Sequence, residues 1–383
     1  MGHSLGLAKL RPTPADSTEN LPMEALSTLN FPVIRGVQAG HEFYVAMWTL
    51  RMLRQISIFD EKELPPELRA QRTLNRARIP EISNYILNNP KDYVFSAITA
   101  SIDSQVEFAP LGSTDTRLGI LRVPMDAKFI INDGQHRRAA ILEALEQKPE
   151  LAYETIAVVF FLDIGLARCQ QMFSDLNRYA IRPSRSLGLL YDHRNDKAKL
   201  ARLVVMKSDL FREIVDLEKN SLALRSRRLF TLSAFYSACA DLVADLASGD
   251  LEHDAKIARD YWEAVADYFP TWRQVRDGRI AASEIREGFI HSHGIALQAI
   301  GKAGNALLKT HPGRWKSKLK SLKTIDWSRT NARLWEGRAM IGGRVSKVSA
   351  NVTLTTNVVK KAFGLALAPD EERIEMAINR KQA

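Results

Sequence analysis

FIINDGQHRRAAILEAL, residues 129–145, joins a short apolar run to an Ala/Leu-rich run through a polar turn. Residues 129–131 predict a buried strand, and residues 139–145 predict a helix. Between them, Asp133 is typical of a helix N-cap, and Gly134 permits a sharp turn. A strand that enters a helix in this way directs backbone N–H groups and the positive end of the helix dipole at one place, where phosphate binds well.

The same turn concentrates side-chain donors in Gln135, His136, Arg137 and Arg138. An arginine can bind a phosphate group through two parallel hydrogen bonds. Two arginines in a first helical turn oppose the helix dipole, which is a local cost with no structural return and indicates a function. A basic first turn in contact with solvent alone is the alternative, and the residues favour an anion site.

Composition limits the class of protein. A chain of 383 residues with 45% hydrophobic residues can form a normal core in one large domain or two smaller ones. Its cysteines, Cys169 and Cys239, are too few for a disulfide framework or a four-ligand zinc site, which fits a reducing cytoplasm. No apolar run reaches the length of a membrane span and no signal peptide is recognised, so we expect no membrane partner.

The positive charge is concentrated in one segment. The net charge is +10, and residues 301–350 contain 12 Lys and Arg against 2 Asp and Glu, so the rest of the chain is neutral. Such a basic block predicts a polyanionic partner, nucleic acid first and a membrane surface second. The side chains expected to contact DNA phosphates are Arg314, Lys316, Lys318, Lys320 and Lys323.

Tryptophans are interleaved with these cations. Trp315, Trp327 and Trp335 either stack on bases or belong to a helical core, and the core is the favoured interpretation. The cations themselves either bind nucleic acid or form a solvated face. No helix-turn-helix is evident, and residues 353–365 would serve as a recognition helix only with a second helix packed behind them.

Periodicity divides the chain into an arm and two domains. Residues 1–29 are polar and contain three prolines, which predicts a mobile arm. Strand and helix patterns alternate over residues 30–190, including a helix over residues 66–89 that contains Arg76 and Arg78. Helical patterns dominate residues 191–383. The predicted fold class is α+β, with a mixed-sheet domain followed by a helical domain.

The pentapeptide DGQHR, residues 133–137, resembles the signature of the DGQHR-domain family, and specifically the DndB-type proteins of DNA phosphorothioation gene clusters. The resemblance extends over most of the chain. It includes Phe31 to Gly36, Arg78 to Pro80, Phe173 to Asn177, Trp327 to Gly343 and Asn351 to Lys361.

This resemblance implies a ParB/sulfiredoxin-like core in which the turn and an upstream helix hold ATP, with or without Mg²⁺. The residues that it assigns to ATP are Gly134, His136, Arg137, Arg138, Arg76, Arg78 and Asn177. If ATP is hydrolysed, Asp133, Gln135 and His136 would carry the catalysis. Gln135 stands where sulfiredoxins have a nucleophilic cysteine, which argues against sulfur reduction.

The resemblance therefore implies a transcriptional repressor of a phosphorothioation gene cluster. We expect it to bind double-stranded promoter DNA in the bacterial cytoplasm, at the nucleoid, and to be modulated by ATP; a homo-oligomer is compatible with the sequence. Two alternatives stay open: a DNA-processing enzyme that hydrolyses nucleotide, and a subunit of a DNA modification or restriction complex. The sequence leaves open whether ATP is hydrolysed or only bound.

Overall fold

The computed structural model of the chain describes residues 28–55, 74–162, 166–178 and 183–382. The chain divides into two compact units between Ile181 and Arg182, and each unit has a hydrophobic core of its own. The sequence pattern predicts this boundary after residue 190. Most of the predicted N-terminal arm, up to residue 27, lies outside the described residues.

The first unit contains a seven-stranded mixed sheet. Its strands are β1 (Thr28–Gln38), β2 (His41–Thr49), β3 (Ile98–Asp103), β4 (Glu107–Pro110), β5 (Leu118–Pro124), β6 (Lys128–Asp133) and β7 (Thr155–Leu162). Their order across the sheet is β4-β5-β1-β2-β7-β3-β6. Strands β3 and β7 run parallel, and the other neighbouring pairs run antiparallel. Strand β6 is thus an edge strand, and it leads directly into the DGQHR turn.

Alternating side chains build the core of this unit. Trp48 of β2 is fully buried and contacts the rings of Phe31, Phe129 and Phe160, with centroid distances of 5.0, 5.5 and 5.2 Å. These four aromatic residues come from four different strands, so their packing fixes which face of the sheet is apolar.

Helices cover the sheet. They are α1 (Ile79–Asn88), α2 (Gln135–Gln147) and α3 (Leu166–Arg178), with 3₁₀ turns at Leu50–Gln55, Arg76–Arg78 and Pro149–Tyr153. Helices α1 and α2 contribute Ile86, Ile141 and Leu145 to the aromatic core. Because side chains alternate along a strand, Asn132 points away from this core, and its contact with Met172 places α3 on the opposite face of β6.

The helix expected over residues 66–89 is shorter than predicted. The α-helix covers Ile79–Asn88, and Pro80 occupies its first turn, where its missing N–H has no helical partner. Arg76–Arg78 form a 3₁₀ turn instead. Residues 66–73 lie outside the described part of the chain.

The second unit is mainly helical. Its helices are α4 (Arg185–Tyr191), α5 (Asp196–Met206), α6 (Asp209–Ile214), α7 (Leu232–Leu242), α8 (Leu251–Ala266), α9 (Pro270–Arg276), α10 (Ala282–Gly288), α11 (Gly294–Thr310), α12 (Trp315–Lys318), α13 (Ala332–Trp335), α14 (Ser349–Phe363) and α15 (Pro369–Gln382). Two short strand pairs join β8 (Val215–Asp216) to β9 (Phe230–Thr231) and β10 (Met340–Ile341) to β11 (Arg344–Val345). The predicted α+β class is confirmed.

Helices α7 and α11 form the centre of this unit and run in the same direction. Gly294, Gly301 and Gly304 of α11 face, in turn, the start, the middle and the end of α7. A Cβ atom at Gly301 would collide with the carbonyl oxygen of Ala238, so the missing side chain permits close contact between the two backbones.

The C-terminal helix α15 is joined to α14 by a buried ion-pair network. Arg338 donates from Nη1 and Nη2 to the two oxygens of Glu375, each at 2.8 Å. Lys361 and Asn357 of α14 donate to the same carboxylate at 2.6 and 3.2 Å.

Within the described residues, no helix has both the length and the apolar character that a bilayer crossing requires.

Candidate functional site

The DGQHR turn is built around a left-handed glycine. Gly134 has φ 103° and occupies the N-cap position of α2, directly after β6. A Cβ atom there would meet Ile98 Cγ1 at 3.1 Å and Arg137 Nη2 at 3.2 Å. The turn therefore requires glycine for its backbone conformation as well as for space.

The predicted cap at Asp133 is wrong. Asp133 is the last residue of β6, and no side chain of a described residue caps α2. Its carboxylate instead forms an ion pair with Arg137, four residues later. The left-handed conformation at Gly134 moves the N-cap position one residue on, so the carboxylate lies beside the helix rather than at its end.

Arg137 ties the turn to the residues that precede β3. Its Nη1 donates to the carbonyl oxygens of Ser96 and Ala97 at 2.8 and 2.9 Å and also to the hydroxyl of Ser96. Together with the Asp133 ion pair, these bonds engage both terminal nitrogens of the guanidinium group. In this conformation, Arg137 positions the turn rather than extending toward a ligand.

Arg138 does not lie where the predicted phosphate contact requires it. The side chain is buried, and its Nε donates to the carbonyl oxygen of Leu53 at 2.8 Å. Burial lowers the pKa of its guanidinium group. The helical period turns this residue toward the core, so Arg138 contributes to packing and does not reach the surface of the turn.

His136 brings the upstream segment to the turn. Its Nε2 accepts a hydrogen bond from the backbone N–H of Asn75 at 3.1 Å. Asn75 caps the 3₁₀ turn that carries Arg76 and Arg78, and both arginine side chains are exposed. The structure thus brings the segment with the two predicted arginines against the signature, through a contact over 61 positions of sequence.

Two buried polar side chains on either side of Asp133 and Gly134 are incompletely bonded. Asn132 is 0% exposed; its Nδ2 donates to Ser101 Oγ at 2.7 Å, whereas its Oδ1 has no partner among the described residues. Gln135 is 8% exposed, and its Nε2 has no partner there either. An unpaired buried polar atom costs about 1–3 kcal/mol, so the two amides are a local cost to stability at the turn.

This unpaired amide leads to a first prediction. Gln135→Leu should raise the free energy of unfolding by about 1 kcal/mol, because it removes a buried donor without a partner. Urea unfolding of the full-length protein measures the change. Asn132→Ala serves as the contrast, because it leaves the buried Ser101 hydroxyl without its partner and should lower the same free energy. A destabilised Gln135→Leu protein would show that this amide is bonded in solution.

Asn177 lies near the end of α3, the helix that contacts β6. Its side chain is outside the described residues, so its predicted contact with the nucleotide stays a prediction. The residues that the sequence did not single out are Asn75, Ser96 and Asn132. Asn132 adjoins the signature, whereas Asn75 and Ser96 contact it from distant positions and gave no local signal.

The basic segment, defined as residues 314–323, lies in the second unit. Arg314, Lys316, Lys320 and Lys323 are exposed, and Lys318 is half-buried. None of these five side chains forms an ion pair with a carboxylate among the described residues. Elsewhere in the unit, by contrast, Lys207 and Lys309 pair with Glu252 and Asp245, each at 2.6 Å.

Apolar anchors hold the basic segment in place. Leu319 and Leu322 are fully buried, and the Nε1 of Trp327 donates to the Leu322 carbonyl oxygen at 2.9 Å. Trp327 and Trp335 are buried and stack at 5.3 Å, so the core interpretation of these tryptophans is confirmed. Lys316 lies over the ring of Trp315, which is half-buried.

A recognition helix over residues 353–365 is contradicted by the structure. These residues belong mostly to α14, where Leu354, Thr355, Asn357 and Val359 are buried. Its cations Lys360 and Lys361 pair with Glu371 and Glu375 of α15. A helix buried along its length against α11 and α15 cannot enter a DNA groove.

A family model for DndB, described as DNA-sulfur modification-associated, matches residues 31–366. The match covers both units and most of the chain, so the protein belongs to the DndB family. Searches of curated proteins and of solved structures returned no significant match. The ParB/sulfiredoxin-like core therefore stays a prediction.

Proposed function

We propose that the protein is a DNA-binding repressor of a DNA sulfur modification gene cluster and that ATP modulates its affinity for DNA. The observation that carries this proposal is the basic segment: five cations within ten residues, without carboxylate partners among the described residues, in a member of the DndB family. Unpaired cations held on a rigid surface are what a DNA backbone recognises.

Phosphate contacts of this kind give affinity without base recognition. A gel shift with duplex DNA from the region upstream of the gene cluster, with and without ATP, tests the function directly. We expect a complex at submicromolar protein that ATP weakens. No complex with this duplex would favour the alternative of a subunit in a larger modification complex.

The DGQHR turn is the proposed ATP site. The N-terminus of α2 and the exposed Arg76 and Arg78 are suited to phosphate oxygens. The Nε2 of Gln135 is buried and has no partner among the described residues, so it would join them if the side chain turned outward on binding. Arg137 and His136 would hold the turn in shape, because Arg137 is bonded to Asp133 and His136 to Asn75. No group of three metal-binding side chains occurs in the described ranges, so an accompanying Mg²⁺ would be bound mainly through the phosphates.

The same contacts favour binding over hydrolysis. A general base needs a free lone pair directed at water. The Nε2 lone pair of His136 accepts the Asn75 N–H, and the Asp133 carboxylate is paired with Arg137. ATP would therefore act as a ligand of the turn, and an ATPase activity would require these contacts to break.

A second prediction concerns the coupling between ATP and DNA. Because coupling between two sites is reciprocal, ATP and DNA should weaken each other's binding by the same factor. We expect a coupling free energy of about 1–3 kcal/mol. Gln135→Leu should reduce the effect of ATP on DNA binding and leave nucleotide-free DNA affinity unchanged. Fluorescence anisotropy of a labelled duplex, with and without ATP and Mg²⁺, measures both quantities.

Two outcomes would contradict this part of the proposal. If ATP shifts the DNA affinity of wild type and Gln135→Leu equally, the turn is not the sensor. If Gln135→Leu fails to bind DNA at all while remaining folded, the turn itself belongs to the DNA surface. Gln135 suits this test better than Arg137, because removing Arg137 would also break the bonds that shape the turn.

A further inference from the structure

A cavity of about 550 Å³ lies in the helical unit, within the size range of small-molecule sites. It is lined by three basic side chains that are far apart in sequence: Arg185 at the start of α4, Arg286 on α10 and Lys347 just before α14. None of the three forms an ion pair with a carboxylate in the part of the chain that the structure describes. One carboxylate, that of Glu287, also lines the cavity.

Arg185 and Lys347 repel each other in this cavity. Desolvation lowers the pKa of Lys347, and the positive charge of Arg185 lowers it further, while Asp241 opposes both effects. Arg185 lies over the ring of Tyr236 at 5.7 Å, which fixes its position. Two like charges that line one cavity repel each other, and an anion bound between them would relieve this repulsion.

Arg286 shapes the rim of the cavity. Its Nη1 donates to the carbonyl oxygen of Arg228 at 3.0 Å, and its Nη2 donates to those of Ala223 and Leu224 at 2.9 and 3.0 Å. These bonds hold the loop that presents Leu222 and Leu224 to the cavity. Leu224 is 70% exposed, so the cavity offers apolar surface in addition to its basic and hydroxyl side chains.

The two central helices add to the positive potential. Helices α7 and α11 run parallel, so their N-termini lie at the same end, and both line the cavity through Thr231, Ser233, His293 and Gly294. The Nε2 of His293 bonds to the carbonyl oxygen of Arg286 at 2.8 Å, and α11 has no side-chain cap in the described part of the chain. The positive ends of two dipoles therefore reinforce the three cations.

We propose that this cavity binds a phosphorylated small molecule of nucleotide size, with its phosphates between Arg185 and Lys347 and its apolar part against Leu222 and Leu224. The site is separate from the DGQHR turn and does not depend on ATP binding there. It provides the helical unit with a ligand site of its own. The helices that line this site belong to the same hydrophobic core as the buried leucines of the basic segment.

The test is isothermal titration calorimetry of the full-length protein with ATP and with inorganic tripolyphosphate. The titrations use the Gln135→Leu background with Arg76→Gln and Arg78→Gln added, so that the side chains proposed to bind ATP at the turn contribute no signal. We expect both probes to bind, and ATP more tightly, because tripolyphosphate lacks the part that contacts the leucines. Arg185→Gln with Lys347→Gln should weaken both by about 100-fold, since two charge-assisted contacts are lost.

Control variants separate a binding role from a structural one. Lys199→Gln with Arg273→Gln removes one Lys and one Arg from exposed ion pairs of the same unit and should leave affinity unchanged. Leu224→Glu adds a negative charge at the exposed rim and should weaken both probes without affecting folding. Without ligand, Lys347→Gln should not lower the melting temperature, because it relieves repulsion by Arg185.

Three results would overturn the proposal. The first is the absence of measurable binding of either probe to the protein with Gln135→Leu, Arg76→Gln and Arg78→Gln. The second is equal affinity in the Arg185→Gln, Lys347→Gln variant. The third is that the cavity variant binds ATP normally and loses affinity only for a DNA duplex, in which case Arg185 and Lys347 contact the DNA backbone.

Discussion

A protein with Lys316, Lys318, Lys320 and Lys323 all changed to Gln should lose about three powers of ten of DNA affinity at 0.15 M salt. Each phosphate contact contributes about 0.9 to the slope of log affinity against log salt concentration. Four lost contacts should therefore flatten the slope by about 3.6. The phosphate contribution to affinity vanishes near 1 M salt. From there down to 0.15 M salt, the change in slope corresponds to a loss of about a thousand-fold in DNA affinity. Anisotropy titrations from 0.05 to about 0.5 M salt measure it.

The matched control removes the same charge elsewhere. Lys199, Lys207, Lys256 and Lys309 all form ion pairs with carboxylates in the same unit, so their joint change to Gln should leave the slope nearly unchanged. Both variants should remain folded, because the changed side chains are largely exposed. An unaltered slope in the first variant would mean that the basic segment is only a solvated face.

Removal of the Glu375 carboxylate should strongly destabilise the protein. Glu375→Ala should lower the free energy of unfolding by about 3–5 kcal/mol, because Arg338 would remain buried without its partner. Urea unfolding at neutral pH measures the loss. Glu372→Ala, on the exposed face of the same helix, is the control and should change stability by less than about 0.5 kcal/mol.

The same residue predicts a pH dependence. Burial would raise the pKa of Glu375, but hydrogen bonds from Arg338, Lys361 and Asn357 outweigh it and lower the pKa from 4.5 to about 2. A lowered pKa stabilises the fold above pH 4.5, and this contribution is lost as the pH falls toward 2. The difference between wild type and Glu375→Ala should therefore narrow below pH 4.5. A constant difference down to pH 2.5 would contradict this assignment.

Local patterns in the sequence were sufficient for the elements around the signature. The apolar run before Asp133 predicts β6, and the Ala/Leu-rich run after Arg138 predicts α2. Each prediction succeeds because the run matches the hydrophobic pattern of a single type of element. The cap was mispredicted because Asp133 and Gly134 both suit the N-cap position, and the backbone conformation decided between them. Likewise, the pattern over residues 66–89 does not distinguish a 3₁₀ turn from a first helical turn.

Contacts between distant residues could not be predicted in the same way. The role of Arg137 depends on Ser96, 41 positions earlier, and that of His136 depends on Asn75. The cavity cations Arg185, Arg286 and Lys347 belong to three helices or their flanks, and no spacing relates them. The basic segment was evident from charge alone, whereas its lack of carboxylate partners among the described residues could be seen only from the positions of the acidic groups.

The central strand pair of the sheet has a consequence for synthesis on the ribosome. Strand β2 pairs with β7, so Phe43 lies opposite Phe161 and Thr49 opposite Thr155. At 5–20 residues per second, β7 is translated roughly ten seconds after β2. During that interval the β1–β2 hairpin exposes Phe31, Tyr44 and Trp48, which makes it a candidate client for nascent-chain chaperones.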